Sequence, residues 1–567
     1  MQRRTFPTHG LVCAAGRTHT SYSFMTRSML LAIALSLPAV VLAQGATNGN
    51  ESGGVSKVWS ADLGNGRYRN PILYADYSDP DVIRVGNDFY LTASSFNAIP
   101  GLPILHSTDL VNWSIIGHAL PRQPPFDVFA QPQHGKGVWA PAIRHHNGQF
   151  VIYYGDPDFG IYVVKANHPA GPWSAPALVK QARGWIDPCP FWDDDGNAYL
   201  VHAMAASRSG INSVLIVHRM SRDGTRLLDA GVLVFDGKDR HPTLEGPKLY
   251  KRNGYYYIFA PAGGVETGWQ LVLRSRNIFG PYTDRVVLQQ GNTNFNGPHQ
   301  GGWVDTAGGE HWFVHFQDQG PYGRVVHLQP MSWRNDWPVI GAEVGDGVGE
   351  PVASYRKPNV AVASQPQTPA DSDEFSGERL GLQWQWQANP ADNWAFPAPA
   401  LGVLRLYAMK KPEPARNFWG VPNLLLQKFP GPLFTATAKV SFTPLAAGNE
   451  TGLIVMGLDY AYLSLLQKDD GLYAGETIVK DADQGAAETR VAEQPVSGNE
   501  FYLRVTVGEG AVASFSLSND GQHFTPLGES FRARQGRWIG AKFGLFAARP
   551  PDSVKAGYAD YDWVRVD

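Results

Sequence analysis

Five times between Tyr68 and Gly341, a proline beside an acidic, small or histidine residue opens an apolar run; a Gly turn follows, and a Tyr- or Phe-rich run closes the unit. The openings are Asp79-Pro80-Asp81, Trp139-Ala140-Pro141, Ile186-Asp187-Pro188, Glu245-Gly246-Pro247 and, in degenerate form, Pro298-His299-Gln300-Gly301. The second half of the unit repeats as well, with an aromatic after a turn at Trp113, Trp173 and Tyr282 and a looser counterpart at Trp333 to Trp337. A period of roughly 50 residues with room for four strands predicts a five-bladed β-propeller. In that fold the first strand of each blade lines the central axis. Residues beside each proline then converge at one end of the channel although they lie far apart in the chain. The all-β reading agrees with Gly 61 and Pro 42 among 567 residues, a density of breakers that excludes long helical bundles.

Further domains follow from composition shifts. Arg27 to Ala43 runs from a basic residue through a short apolar stretch to a small residue before Gln44, the pattern of a secretory signal cleaved after Ala43, with Met25 as an alternative start. The stretch is too short to anchor the chain in a membrane. The expected order is therefore signal 1–43, lead segment 44–67, propeller 68–350, linker 351–370 and a second β domain over 371–567. Alternating runs such as Val403 to Tyr407 and Phe501 to Val507 make that last domain a two-sheet, jelly-roll-like β-sandwich. Cleavage would leave Cys189 as the one cysteine, so no intrachain disulfide is expected, and its proline-rich flanks suggest a buried, inert thiol. A net charge of −3 with 17% charged residues supplies no basic surface for nucleic acid. Oligomeric state is left open.

Three of the five openings carry carboxylates: Asp79, Asp187 and Glu245. Any one Asp-Pro reads equally as a turn cap. Three delivered to one pole are costly unless they do chemistry, because mutual repulsion and burial raise the pKa of at least one of them. Hydrolysis of a glycosidic bond by inversion needs such a set, with one acid to protonate the leaving oxygen and one carboxylate to activate water. A non-catalytic carbohydrate-binding propeller is the alternative from another class.

The ordered set Asn70-Pro71-Ile72-Leu73, Ser78-Asp79-Pro80-Asp81, Gly137-Val138-Trp139-Ala140-Pro141, Ile186-Asp187-Pro188, Leu244-Glu245-Gly246-Pro247, His299-Gln300-Gly301 and Tyr322-Gly323-Arg324 resembles glycoside hydrolase family 43. The match is to its β-xylosidase and α-L-arabinofuranosidase branch with a C-terminal sandwich. That resemblance implies an exo-acting inverting enzyme releasing terminal D-xylose or L-arabinose from hemicellulose oligosaccharides. The two activities share this constellation, and endo-arabinanase is a further alternative. It implies Asp79 as general base, Glu245 as general acid, and Asp187 as the residue that orients Glu245 and raises its pKa. Arg324 would bind substrate, and Phe96 and Trp139 would wall the terminal-sugar subsite. No cofactor is required on this reading. His299 marks an axial position where some members hold calcium, and Glu374, Asp560 and Asp562 are weaker candidates in the sandwich. Asp193-Asp194-Asp195-Gly196 is read as a hairpin turn. Cys189-Pro190 departs from the family's usual small residue and Leu.

Overall fold

The computed structural model describes residues 54–567 except Ala363 and Pro414, so the expected signal segment lies outside the described residues. Five antiparallel sheets follow one another, each running from innermost to outermost strand in chain order. Their innermost strands are Asp81–Val85, Trp139–His146, Trp185–Trp192, Lys248–Arg252 and His299–Asp305. The last packs against the first and closes the ring. Both faces of each blade are covered by its neighbours, which is why the apolar residues form five wedges rather than one core. Leu102, Ile104, Ile143 and Ile152 fill the wedge between the first two blades, and Tyr257, Phe259, Phe313 and Trp337 that between the last two. The aromatic after each second turn seals a wedge, as buried Trp113 does.

Closure involves a segment the sequence reading assigned to the linker. Ser354–Arg356 is a strand paired with Arg67–Arg69, so residues 351–370 are not uniformly irregular. Tyr355 there packs edge-on against Trp312. The chain before the first blade also satisfies the fifth: Leu73 exchanges two backbone hydrogen bonds with Val326, and the Asn70 amide both donates to Leu328 O and accepts from Leu328 N–H. A hairpin of Ala342–Gly345 and Val348–Glu350 extends the fourth blade's sheet to six strands.

The turn that opens each blade has one backbone signature. Asp79, Ala140, Asp187, Gly246 and Gln300 all have positive φ, at 54°, 30°, 58°, 58° and 39°. Proline follows four of them, and a proline disfavours the ordinary helical conformation in the residue before it. Register shifts at Trp139/Ala142, Ile186/Cys189 and His299/Gly301 mark where this turn interrupts the ladder. Beneath it a second layer of side chains spans the axis. Asp81 Oδ2 accepts from Arg144 Nη1 at 2.6 Å, Arg144 Nη2 donates to Cys189 Sγ at 2.9 Å, and Lys248 Nζ reaches Pro141 O at 2.9 Å.

The second domain is a sandwich of two antiparallel sheets. One holds Leu425–Lys428, Lys542–Arg549, Glu450–Met456, Tyr460–Lys468, Gly471–Val479 and Thr489–Val496; the other holds Val403–Tyr407, Tyr558–Val566, Phe434–Thr443, Glu500–Gly508 and Val512–Ser518. Alternate residues such as Leu453, Leu463, Leu503, Val505 and Phe543 make its core. It docks directly on the propeller. Ile99 and Trp386 exchange backbone hydrogen bonds of 3.0 and 2.6 Å, and Asn389 spans to Gln123 through both ends of its amide.

Candidate active site

At the pole where the five turns meet lies a pocket of about 480 Å³, measured out to its open mouth. It is lined by Asp79, Asp187, Glu245, Phe96, Trp139 and Arg324, together with Gln300, Val265 and Trp538. All three carboxylates and all three expected substrate contacts therefore share one cavity.

Each carboxylate has a different environment. Asp79 is buried and accepts from Ser78 Oγ (2.8 Å) and Ser94 Oγ (2.6 Å) at Oδ2, and from Arg324 Nη1 at both oxygens (3.1 and 3.3 Å). That is the donor set of a carboxylate rather than a carboxylic acid. Ser94 is itself fixed by the Ala140 N–H at 2.7 Å, which ties the first blade's carboxylate to the second blade's turn. Asp187 is 3% exposed, and among the described residues its carboxyl has one hydrogen-bond partner, the Gly246 N–H, 2.7 Å from Oδ2. Burial, and next the adjacent Glu245 carboxyl, push its pKa well above the ordinary value; Asp79 adds to this, while the Gly246 N–H and Lys248 oppose it. The Glu245 side chain, by contrast, stays 30% exposed at the pocket.

His299 is fully buried with Nε2 at 3.1 Å from Glu245 Oε1. Its Nδ1 is set against Gly268, where a Cβ would come within 2.8 Å. One imidazole already engaged by a carboxylate is a poor donor set for a hard cation. Among the described residues no three His, Cys, Asp or Glu side chains gather as metal ligands. The sandwich candidates are likewise taken up by cations: Glu374 by Arg565, Asp560 by Arg405 and Asp562 by Lys439. Asp193 sits in a hairpin turn, paired with Lys251 and Tyr256.

The apolar wall is built from two loops laced together. Phe96 and Val138 exchange backbone hydrogen bonds of 3.0 Å, and a Cβ on Gly137 would fall 2.3 Å from Phe96 O, so this approach requires glycine. Phe96 and Trp139 then meet edge-on at 6.3 Å, with the Trp139 Nε1–H held by Gly135 O at 3.0 Å. Arg324 is both a wall and an ion pair; its guanidinium is committed to Asp79 and Ser78.

Trp538, which sequence reasoning missed, comes from the sandwich. Its ring lies edge-on to Trp139 at 6.3 Å and faces the Arg324 guanidinium at 5.9 Å. The loop that carries it is pinned by ion pairs from Arg534 to Asp459 and from Arg537 to Asp483. The run Gln535-Gly536-Arg537-Trp538-Ile539-Gly540, an aromatic between glycines, marks a turn. Nothing in it says which pole the turn reaches. The Gln300 side chain was overlooked because its blade opens without a Pro-linked acid.

A five-bladed propeller that gathers three carboxylates at one pole, under an aromatic lid from a sandwich domain, is the architecture of a glycosidase. The match to the family model described as glycosyl hydrolases family 43 covers residues 68–338, and one described as the β-xylosidase C-terminal concanavalin A-like domain covers 372–567. A relative from Xylanibacter ruminicola is 42% identical over 496 residues, covering 86% of this chain and 88% of its own. A β-xylosidase of Formosa agariphila is 32% identical, covering 89% and 91%. A non-reducing end α-L-arabinofuranosidase of Bacteroides ovatus is 30% identical, covering 89% and 96%. The solved structure of a xyloglucan-locus protein from Bacteroides ovatus superposes with a TM-score of 0.76 at 28% identity, over 88% of this chain and 99% of that one. The chain belongs to glycoside hydrolase family 43.

Proposed function

We propose that this chain is an exported, exo-acting, inverting glycosidase that releases terminal D-xylose or L-arabinose from hemicellulose oligosaccharides, with β-xylosidase activity first. The carrying observation is the single pocket in which three carboxylates meet three different environments, bounded on one side by the sandwich. Asp79, which accepts hydrogen bonds from three side chains, takes the proton from the attacking water as general base. Glu245, partly exposed at the pocket, gives its proton to the leaving oxygen as general acid. Asp187 does not touch the leaving group. Through Gly246 N–H it fixes the turn that carries Glu245, and its buried carboxyl beside Glu245 disfavours a second negative charge there.

Trp538 and Trp139 favour a chain end over the interior of a polymer, since an aromatic from the second domain stands beside the pocket where a through-running groove would have to pass. The named relatives, a β-xylosidase and an arabinofuranosidase, support the pentose class. The signal-like pattern of residues 27–43 supports the export part of this reading. Neither acid nor base chemistry calls on a metal or cofactor. The test is proton NMR of the first-formed sugar from xylobiose and from arabinose-decorated oligosaccharides. Release of one terminal pentose with inverted anomeric configuration supports the assignment; a retained anomer, or internal cleavage, overturns it.

A further inference from the structure

Asp76 does not line the pocket, yet both walls hang from it. The residue is buried at the seam between the two domains. Its Oδ1 accepts from the backbone N–H of Arg324 at 2.9 Å, and its Oδ2 accepts from the backbone N–H of Gly540 at 3.0 Å. Arg324 belongs to the propeller and carries the guanidinium that holds Asp79. Gly540 belongs to the sandwich and lies two residues beyond Trp538. One carboxylate thus joins the two sides of the active site, one oxygen to each domain.

The fit around it leaves little slack. A Cβ on Gly323 would stand 2.5 Å from the Asp76 side chain, and one on Gly540 would stand 2.7 Å from Gly323 N. Ala541 N–H donates across the same seam to Pro321 O at 2.7 Å. Behind Asp76 the sandwich presents two cross-strand lysines, half-buried Lys428 and buried Lys542, whose ammonium groups share Gln385 Oε1 at 3.4 and 3.5 Å. For both lysines, Asp76 is the acid whose charge favours the ammonium form. A neutral isostere fails on both counts. Asparagine offers one acceptor oxygen, so its amide N–H₂ would face one of two backbone donors, and the lysines would lose their counter-charge.

We infer that Asp76 is a positioning residue of the hydrolase, holding Arg324 and Trp538 in register across the domain seam. This rests on the proposed function, in which those two side chains bound the substrate site. It predicts that Asp76→Asn lowers kcat/KM for an aryl pentoside by at least tenfold, with most of the loss in KM. The comparison variant is Asn389→Ala, which removes the Asn389–Gln123 bridge between the same domains without contact to either wall. At equal loss of thermal stability, Asn389→Ala should stay within threefold of the parent kcat/KM. In a Trp538→Ala background the loss from Asp76→Asn should shrink to less than half on a logarithmic scale. Hydrogen exchange followed by mass spectrometry gives a readout independent of turnover: the segments 318–324 and 534–541 should both exchange faster in Asp76→Asn than in Asn389→Ala. Equal kinetic losses at equal stability, full additivity with Trp538→Ala, or unchanged exchange in either segment would overturn the assignment. So would an Asp76→Asn chain that does not fold, since Asp76 would then serve the fold itself. Failure of the parent chain to release pentose would refute the functional reading alone, leaving the exchange experiment to decide on Asp76.

Discussion

Replacing Trp538 by alanine tests whether the second domain belongs to the active site. The indole is 49% exposed, lines the pocket and stands between Trp139 and Arg324, so part of its open surface is available to a sugar. A tryptophan presents roughly 150–250 Å² in all. A pentose covering about 60 Å² of the open half gains on the order of 1.5 kcal/mol at about 25 cal/mol per Å². That corresponds to roughly tenfold in binding. Loosening of Trp139, whose edge-on contact with Trp538 contributes about 0.5–1.5 kcal/mol, extends the range toward a hundredfold. The loss should fall on KM, because Asp79, Asp187 and Glu245 are all carried by the propeller. The fold should survive, since the loop keeps its Arg534–Asp459 and Arg537–Asp483 pairs. Steady-state kinetics on an aryl β-D-xylopyranoside and an aryl α-L-arabinofuranoside, beside a thermal melt, measure all of this. A kcat/KM within twofold of the parent, or a kcat that drops as far as KM rises, would refute the placement of Trp538 over the substrate.

Asp79→Asn and Glu245→Gln should each lower kcat by about 10² to 10⁴, the usual contribution of a general base or acid, with melting temperatures near the parent's; a loss of tenfold or less would remove the residue from its role. Lys542 offers a stability test. Burial and the neighbouring Lys428 bring its pKa from 10.5 down to about 7, against the pull of Asp76. Between about pH 7 and 10.5 the folded chain then binds fewer protons than the unfolded one, so stability rises with pH through that window, and the penalty is fully present below it. Lys542→Met should therefore raise the melting temperature most at or below pH 7, with a gain that fades toward pH 10; a pH-independent gain would contradict the burial. Cys189 is fully buried, its sulfur accepting from Arg144 and from the Leu249 N–H, so thiol-blocking reagents should leave activity intact, and rapid inactivation would show an open site. A chelator should leave turnover unchanged in folded protein; loss restored by calcium would make the axial position at His299 a metal site after all.

Sequence made the propeller legible because each blade must open with the same turn, and prolines and glycines are the residues that mark it. Asp79, Asp187 and Glu245 stood out for that reason, and all three reach the pocket. What escaped was decided by contacts between distant segments. Trp538 sits in a turn more than 200 residues from Arg324, and interdomain contacts such as Trp386 on Ile99 and Gly540 on Asp76 aim it. Ser354–Arg356 looked irregular because three residues carry no pattern. It becomes a strand because Arg67–Arg69 offers it a partner edge. His299 could be placed on the axis from its position in the fifth blade, but its 3.1 Å contact with Glu245 depends on a side-chain direction that no pattern encodes.

The repeat also explains why the three carboxylates differ. In every blade the left-handed position of the opening turn is the same backbone site, occupied in order by Asp79, Ala140, Asp187, Gly246 and Gln300. Holding a non-glycine residue there costs about 1–3 kcal/mol, and two of the four non-glycine occupants are carboxylates of the pocket. In the fourth blade the position is glycine, because a Cβ on Gly246 would come 2.6 Å from the Gln300 side chain of the next blade. The fourth blade's carboxyl is consequently carried one residue earlier, by Glu245, on a longer side chain. That offset leaves Glu245 at the accessible side of the pocket, while Asp187, in the turn position itself, is sealed beneath it with Gly246 N–H as its donor. A leaving-group acid must reach a substrate oxygen, and its buried partner must not. A single backbone device, filled with glycine in one blade and aspartate in another, produces both environments.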